Sequence, residues 1–138
     1  MSIAVTPHLN FRGDARAALE HYRAAFAGEV VAITYAQMGA PHDPAQADEI
    51  VWGQVTAPSG FRVMVYDVQS DRPFSRGDNP FYVSVRATDP QELEAAWPRL
   101  VEGGQVLVPL GPAQWSARYG MAVDRFGITW VLDVEPTA

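Results

Sequence analysis

The sequence predicts an α+β fold of paired βαβββ modules, and three observations predict it. Each half of the chain opens on an alternating apolar–polar stretch, continues into a helical stripe and closes on three β-rich stretches. Two strings recur between the halves: Pro7–Arg12 lines up with Phe81–Arg86, and Gly60–Val65 with Gly127–Leu132. Finally, 138 residues with 48% hydrophobic content suit one compact domain, or two small modules sharing a core. The expected organisation is a single domain over 1–138, with pseudo-repeats at about 1–70 and 78–138.

Val5, Pro7, Leu9 and Phe11 alternate with Thr6, His8, Asn10 and Arg12, the period of a strand with one apolar face. Gly13-Asp14 ends it, and Asp14 is the expected N-cap of a helix whose stripe is Ala15, Ala18, Leu19, Tyr22 and Phe26, stopped by Gly28. Glu29–Ala36 is β-rich. Met38–Asp48, with Gly39, Pro41, Asp43 and Pro44, reads as a mobile loop. Strands follow at Ile50–Thr56 and Phe61–Asp67, joined by the turn Ala57–Gly60, and Gln69–Asn79 is a polar linker.

The second half repeats the order. Phe81, Val83 and Val85 alternate with Tyr82, Ser84 and Arg86. Asp89 caps a helix with Pro90 at its first position and Glu92 at capping-box spacing. Its stripe is Leu93, Ala96, Trp97 and Leu100. Pro98 should kink or shorten it, and Gly103-Gly104 stops it. Gln105–Leu110, Ser116–Asp124 and Ile128–Val134 read as strands.

Composition excludes several classes of function. There is no cysteine, hence no disulfide, thiolate metal site or Cys nucleophile. A net charge of −6, with scattered arginines, argues against nucleic-acid binding and against a membrane-surface role. No stretch reaches the roughly 20 apolar residues of a bilayer span. The N-terminus lacks the layout of a secretory signal, so a cytoplasmic location is expected. No serine sits in a nucleophile-elbow context, and no glycine-rich nucleotide-binding turn is present.

Longer strings carry a family resemblance. Val5-Thr-Pro-His-Leu-Asn-Phe-Arg-Gly13, His21-Tyr-Arg-Ala-Ala-Phe-Ala-Gly28 and Gly39 resemble the start of PhnB-like proteins. Trp115-Ser-Ala-Arg-Tyr-Gly120, Val123-Asp-Arg-Phe-Gly127 and Trp130 resemble their close. Those proteins belong to the vicinal oxygen chelate superfamily, with glyoxalase I, extradiol dioxygenases and the fosfomycin and bleomycin resistance proteins. The resemblance implies eight mixed strands curled round a cleft with helices outside, and a homodimer. It also implies a divalent metal held by one side chain on the first and one on the last strand of each module.

Carried over by strand pattern, those ligand positions are His8, Met64, Tyr82 and Val131. Only His8 is a good ligand: a thioether is a weak, soft donor, and valine cannot bind. Of the other histidines, His21 should face solvent beside Tyr22, and His42 sits in a polar loop with Asp43 and Asp48 without metal-ligand spacing. Asp67, Asp71 and Asp78 read as solvated turn carboxylates, Asp124 as a structural turn residue, and Trp130 as core. No metal and no cofactor are therefore expected.

What remains is an aromatic wall with a few polar groups, the usual make-up of a small-molecule pocket. Its expected members are His8, Asn10, Trp52, Tyr66, Tyr82, Ser84, Trp115 and Arg118, with Arg118 available to an anionic ligand. The expected function is that of a metal-independent homodimer binding a small, partly aromatic or apolar molecule. The alternative is a divergent metal-dependent lyase or dioxygenase working through His8. A third possibility is an interaction module whose cleft is filled by its own aromatics.

Overall fold

The computed structural model describes residues 3–39 and 43–135. They form two compact units, one up to Ser75 and one from Arg76. The first unit contains β1 (His8–Phe11), α1 (Ala15–Phe26), β2 (Glu29–Thr34), β3 (Ile50–Thr56) and β4 (Arg62–Asp67). Its sheet has the order β1-β4-β3-β2, with β1 parallel to β4 and the other pairs antiparallel. The second unit contains β5 (Val83–Ala87), α2 (Pro90–Leu100), β6 (Gln105–Ala113), β7 (Ser116–Val123) and β8 (Thr129–Val134). Its order is β5-β8-β7-β6, again with the outer first strand parallel and the rest antiparallel. The expected α+β class and the doubled βαβββ order are thus both present. Among the described residues, no helix is long and apolar enough to cross a membrane.

In the first unit the period-two pattern sorts the strands into two faces. Leu9, Phe11, Val55, Val63 and Val65 are buried with the α1 stripe Ala15, Ala18, Leu19 and Tyr22. Phe26 lies at the margin of that core, only half-buried, stacked on Phe61 with 3.7 Å between ring centroids. Val5 is not part of the apolar face: it is 93% exposed, and the strand starts only at His8. In the second unit, Leu93, Ala96 and Leu100 of α2 bury with Val83, Ala122, Trp130, Leu132 and Val134. Trp97 is half-buried, and α2 runs two residues past Pro98 before ending at Leu100.

The repeat extends to the packing. Gly53 pairs with Val65 and Gly120 with Leu132, which are equivalent positions in the two sheets. A Cβ on Gly53 would sit 2.6 Å from Leu19 Cδ1, and one on Gly120 would sit 2.9 Å from the Trp97 ring. Each helix therefore drives one large side chain against a glycine on the sheet, which lets helix and sheet approach closely.

The helix ends differ from the sequence-based expectation. Asp14 occupies the N-cap position of α1, but its side chain makes no capping bond. Asp67 does that work from the end of β4, its Oδ1 accepting from the N–H groups of Gly13 (2.7 Å) and Ala15 (3.1 Å). At the other end Ala27, not Gly28, takes the left-handed conformation. Gly28 is required instead because a Cβ there would lie 2.8 Å from the Thr56 carbonyl oxygen. Asp89 caps α2 as expected, although through the Gln91 N–H rather than that of Glu92.

Two further expectations are corrected. A 3-10 turn at Ala36–Met38 leads into the 38–48 loop, and the described part of that loop contains another at Pro44–Gln46. It is pinned by the buried Gln46, which donates to Glu49 and to the Val68 carbonyl and accepts from the Ser70 N–H. His42 and Pro41 lie outside the described residues. Asp67 is no solvated turn carboxylate: it is 1% exposed and also accepts from the Ile50 N–H through Oδ2 (3.0 Å). Asp124 and Trp130 are structural, as read from the sequence. The Asp124 carboxylate accepts from the N–H groups of Phe126 and Ile128 and from the indole N–H of Trp130 (2.9 Å).

Candidate functional site

One face of each sheet packs against its own helix, and the other is the face available to a ligand. On the first unit the strand register decides which residues share that open face. His8 pairs with Met64, which pairs with Gln54, which pairs with Val31. The next row holds Asn10 beside Tyr66, with Trp52 beside Ile33. Four of the expected site residues, His8, Asn10, Trp52 and Tyr66, thus lie on a single sheet face.

Their side chains hold one another. His8 Nδ1 and Asn10 Oδ1 are 2.8 Å apart, so the amide fixes the imidazole. The His8 ring meets the Tyr66 ring edge-on at 5.2 Å. The Trp52 indole N–H donates to Met64 Sδ at 3.2 Å. His8 and Asn10 are exposed, while Trp52, Met64 and Tyr66 are half-buried. Gln54 and Ile33 belong to the same face and were missed by sequence reasoning. Counting two positions along β3 from Trp52 would have found Gln54, whereas Ile33 is reached only through the pairing of β2 with β3.

On the second unit the open face holds Ser84 paired with Val131, and Arg86 ion-paired with Asp133 at 3.0 Å. Tyr119 lies opposite Asp133 and meets the Trp115 ring edge-on at 5.2 Å. Tyr82 is exposed just before β5, and Trp115 is 64% exposed at the β6–β7 hairpin, where an open recess of about 450 Å³ runs past Gln114, Val134 and Glu135. Arg118 departs from the expectation. It shares the helix-covered side of β7 with Gly120 and Ala122, and its guanidinium donates to Glu94 of α2 (2.6 Å) and to the Ala117 carbonyl. That engagement turns Arg118 toward α2 and away from any ligand on the open face.

The register also corrects the equivalence of the first strands. His8 pairs with Met64, whereas Val131, the counterpart of Met64, pairs with Ser84 and not with Tyr82. A slip of two residues preserves the apolar–polar alternation, so periodicity alone could not detect it. The equivalent quartet is therefore His8, Met64, Ser84 and Val131. These residues do not fit a divalent metal. Valine has no donor atom, the thioether already accepts the Trp52 N–H, and one imidazole nitrogen is committed to Asn10. Among the described residues, no three His, Asp or Glu side chains are grouped to hold an ion.

Tyr35, at the end of β2, links this face to the Asp67 network by donating its hydroxyl to the Asp67 carbonyl oxygen. Burial pushes the Tyr35 phenol pKa up, helped by Tyr66, Asp67 and Glu49, with Arg72 opposing. An acid whose pKa rises on folding is held in its neutral form. Its contribution to stability is full below the ordinary tyrosine range of about 10 and is lost as pH climbs through the higher folded value. Unfolding midpoints measured from pH 8 to 11 should accordingly fall more steeply in the native chain than in Tyr35→Phe.

Comparison with known proteins agrees with this architecture. The family model of the Glyoxalase/Bleomycin resistance protein/Dioxygenase superfamily matches residues 7–132. Protein PA1353 from Pseudomonas aeruginosa is 30% identical in sequence, with 97% of this chain and 98% of that one covered and a TM-score of 0.82. The putative 3-demethylubiquinone-9 3-methyltransferase PhnB protein from Bacillus cereus is 22% identical over 96% of this chain and 100% of that one, with a TM-score of 0.75. A mutant of the fosfomycin resistance protein FosX from Listeria monocytogenes, solved with Mn(II) and 1S,2S-dihydroxypropylphosphonic acid, is 12% identical over 99% of this chain and 94% of that one, with a TM-score of 0.61. At such identities the last two establish the shared fold alone. Among curated proteins nothing matches the sequence. With the doubled βαβββ order, the family match over most of its length and a 30%-identical structural relative, the chain belongs to the Glyoxalase/Bleomycin resistance protein/Dioxygenase superfamily.

Proposed function

We propose that the protein is a metal-independent small-molecule binding member of its superfamily, working as a homodimer in the cytoplasm. The observation that carries this reading is the chemistry at the strand positions where the resemblance implies metal ligands: a lone imidazole tied to Asn10, a thioether tied to Trp52, a serine and a valine. What that face offers in place of a metal is aromatic surface. Trp52 and Tyr66 supply ring area, while His8 and Asn10 supply polar groups at fixed positions, the mixture that small-molecule sites use. Tyr82, Ser84 and Trp115 are proposed as ligand-contacting residues of the second unit taken by itself, and Arg118 is left out because Glu94 engages it.

A homodimer accords with the apolar side chains left exposed on the edge strands. Val30 and Val31 on β2, and Val106, Leu107 and Val108 on β6, are all more than a third exposed. The dimer should appear as twice the chain mass in light scattering.

The test of function is a ligand screen by thermal shift in the presence of a chelator, followed by titration of the hits. Trp52→Ala should weaken a hit at least tenfold, the effect expected on losing a well-packed aromatic contact. His8→Ala should weaken it less. A turnover that needs added metal and vanishes in His8→Ala would instead establish the lyase or dioxygenase reading.

A further inference from the structure

We infer that Val68–Phe74 is a latched strap that opens independently of the sheet beside it, with Arg12 as its clasp. Its sequence is that of a polar linker, and Ser70 to Pro73 are exposed. The segment is nevertheless held. Arg12, the residue after β1, donates from Nε to the Val68 carbonyl (3.4 Å). One of its terminal nitrogens donates to the carbonyls of Gln69 (2.9 Å) and Arg72 (2.5 Å). Those two residues begin and end a turn closed by the Arg72 N–H on the Gln69 carbonyl (3.0 Å). The same guanidinium lies over the Phe74 ring, 5.5 Å from its centroid. A second hold comes from Gln46, which donates to the Val68 carbonyl and accepts from the Ser70 N–H. A planar fork of N–H donors lets one side chain serve three carbonyls and a ring, whereas an ammonium has the charge without the fork.

The clasp and the sheet differ in their access to water. Asp67, the last residue of β4, is 1% exposed and bonded to buried backbone N–H groups. The bonds from Arg12 to Gln69 and Arg72 are exposed, so water replaces them on opening and each adds little to stability. A segment of exposed residues held by side chains, next to a buried anchor, belongs at the low end of local opening energies. The strap leaves β4 at the end of the sheet where Asn10 pairs with Tyr66, and Arg12 follows Asn10 by two residues. Its opening therefore alters that end of the open face. The inference goes beyond the binding function proposed above and holds whatever that face takes up.

Phe74 makes the test direct, because chymotrypsin cuts after it and cleaves only a chain segment that has come free. Mass spectrometry separates the cut between Phe74 and Ser75 from cuts after the exposed Phe81 and Tyr82. In the native chain the Phe74 cut, relative to a free peptide of residues 68–80, should change by less than about twofold on adding about 1 M urea. A cut that required global unfolding would speed up about fivefold or more. Arg12→Ala should accelerate the Phe74 cut by about tenfold or more, the effect of losing several weak bonds together, and leave the Phe81 and Tyr82 cuts near their native rates. Arg12→Lys keeps the charge and should still accelerate it by about fivefold, because the fork is lost. A Phe74 cut unchanged in both variants, one that rises together with the other two cuts, or one that follows the urea dependence of global unfolding would overturn the latch.

Discussion

Asp67→Ala is expected to destabilise the protein by about 3 kcal/mol or more, lowering the thermal midpoint by roughly 10 °C. The carboxylate is buried and receives three backbone N–H groups from separate places: Gly13 and Ala15 at the start of α1, and Ile50 at the start of β3. Alanine would leave all three donors without an acceptor in a site closed to water, and each such group costs about 1–3 kcal/mol. Water entering the space left behind would recover part of this, which keeps the figure at the lower end of the sum. Asp67→Asn should fall between the two, because its carbonyl can serve one side of the cluster while its NH2 group is turned against a donor on the other. Were Asp67 the solvated turn residue that its neighbours in sequence suggest, Asp67→Ala would change stability by no more than about 0.5 kcal/mol. Chemical denaturation of the native chain and both variants distinguishes these outcomes.

Gly104→Ala should be comparably damaging for a different reason. A Cβ at this position would lie 2.2 Å from the Val123 carbonyl oxygen and 2.9 Å from the Asp124 backbone. Those atoms belong to β7 and to the turn that Asp124 and Trp130 lock, so no rotamer change relieves the contact. Backbone must move, at a cost of about 3 kcal/mol. The equivalent change in the first unit, Gly28→Ala, places its Cβ 2.8 Å from the Thr56 carbonyl oxygen and should cost less. Gly111→Ala is the control. Its nearest neighbour would be 3.9 Å away, and it should be neutral or slightly stabilising. Unfolding midpoints in the order Gly111→Ala, Gly28→Ala, Gly104→Ala, from highest to lowest, are the expected result.

Much of the architecture could be read from local pattern, because helices and strands announce themselves through spacing over a few residues. Ile50–Thr56 and the two helical stripes are cases where period and punctuation agree. What spacing does not contain is the choice among alternatives that share a period. Strand pattern matches His8 to Tyr82 as readily as to Ser84 because both keep the same alternation, and only the pairing of β5 with β8 separates them. For Arg118 the signal is its parity: Gly120 and Ala122, at the same parity and small enough to lie under a helix, mark that side of β7 as the helix side. Asp67 was unreadable for a deeper reason. It ends a strand before a polar linker, and its partners lie 54, 52 and 17 residues away in sequence. Of the candidate site, the grouping of His8, Asn10, Trp52 and Tyr66 follows from alternation once strand order is known. The bond between Trp52 and Met64, which removes the thioether as a free donor, depends on side-chain geometry that no periodicity encodes.

The central claim is that this sheet face binds its ligand through aromatic and amide groups without a resident divalent ion. The most direct test is to dialyse the purified native protein against Zn²⁺, Ni²⁺, Mn²⁺ and Fe²⁺ in turn, then measure bound metal per chain and affinity for a screened ligand before and after chelation. Bound metal well below one ion per chain, with ligand affinity unchanged by the chelator, is the predicted result. One tightly held ion per chain that His8→Ala releases, and whose removal abolishes ligand binding, would contradict it.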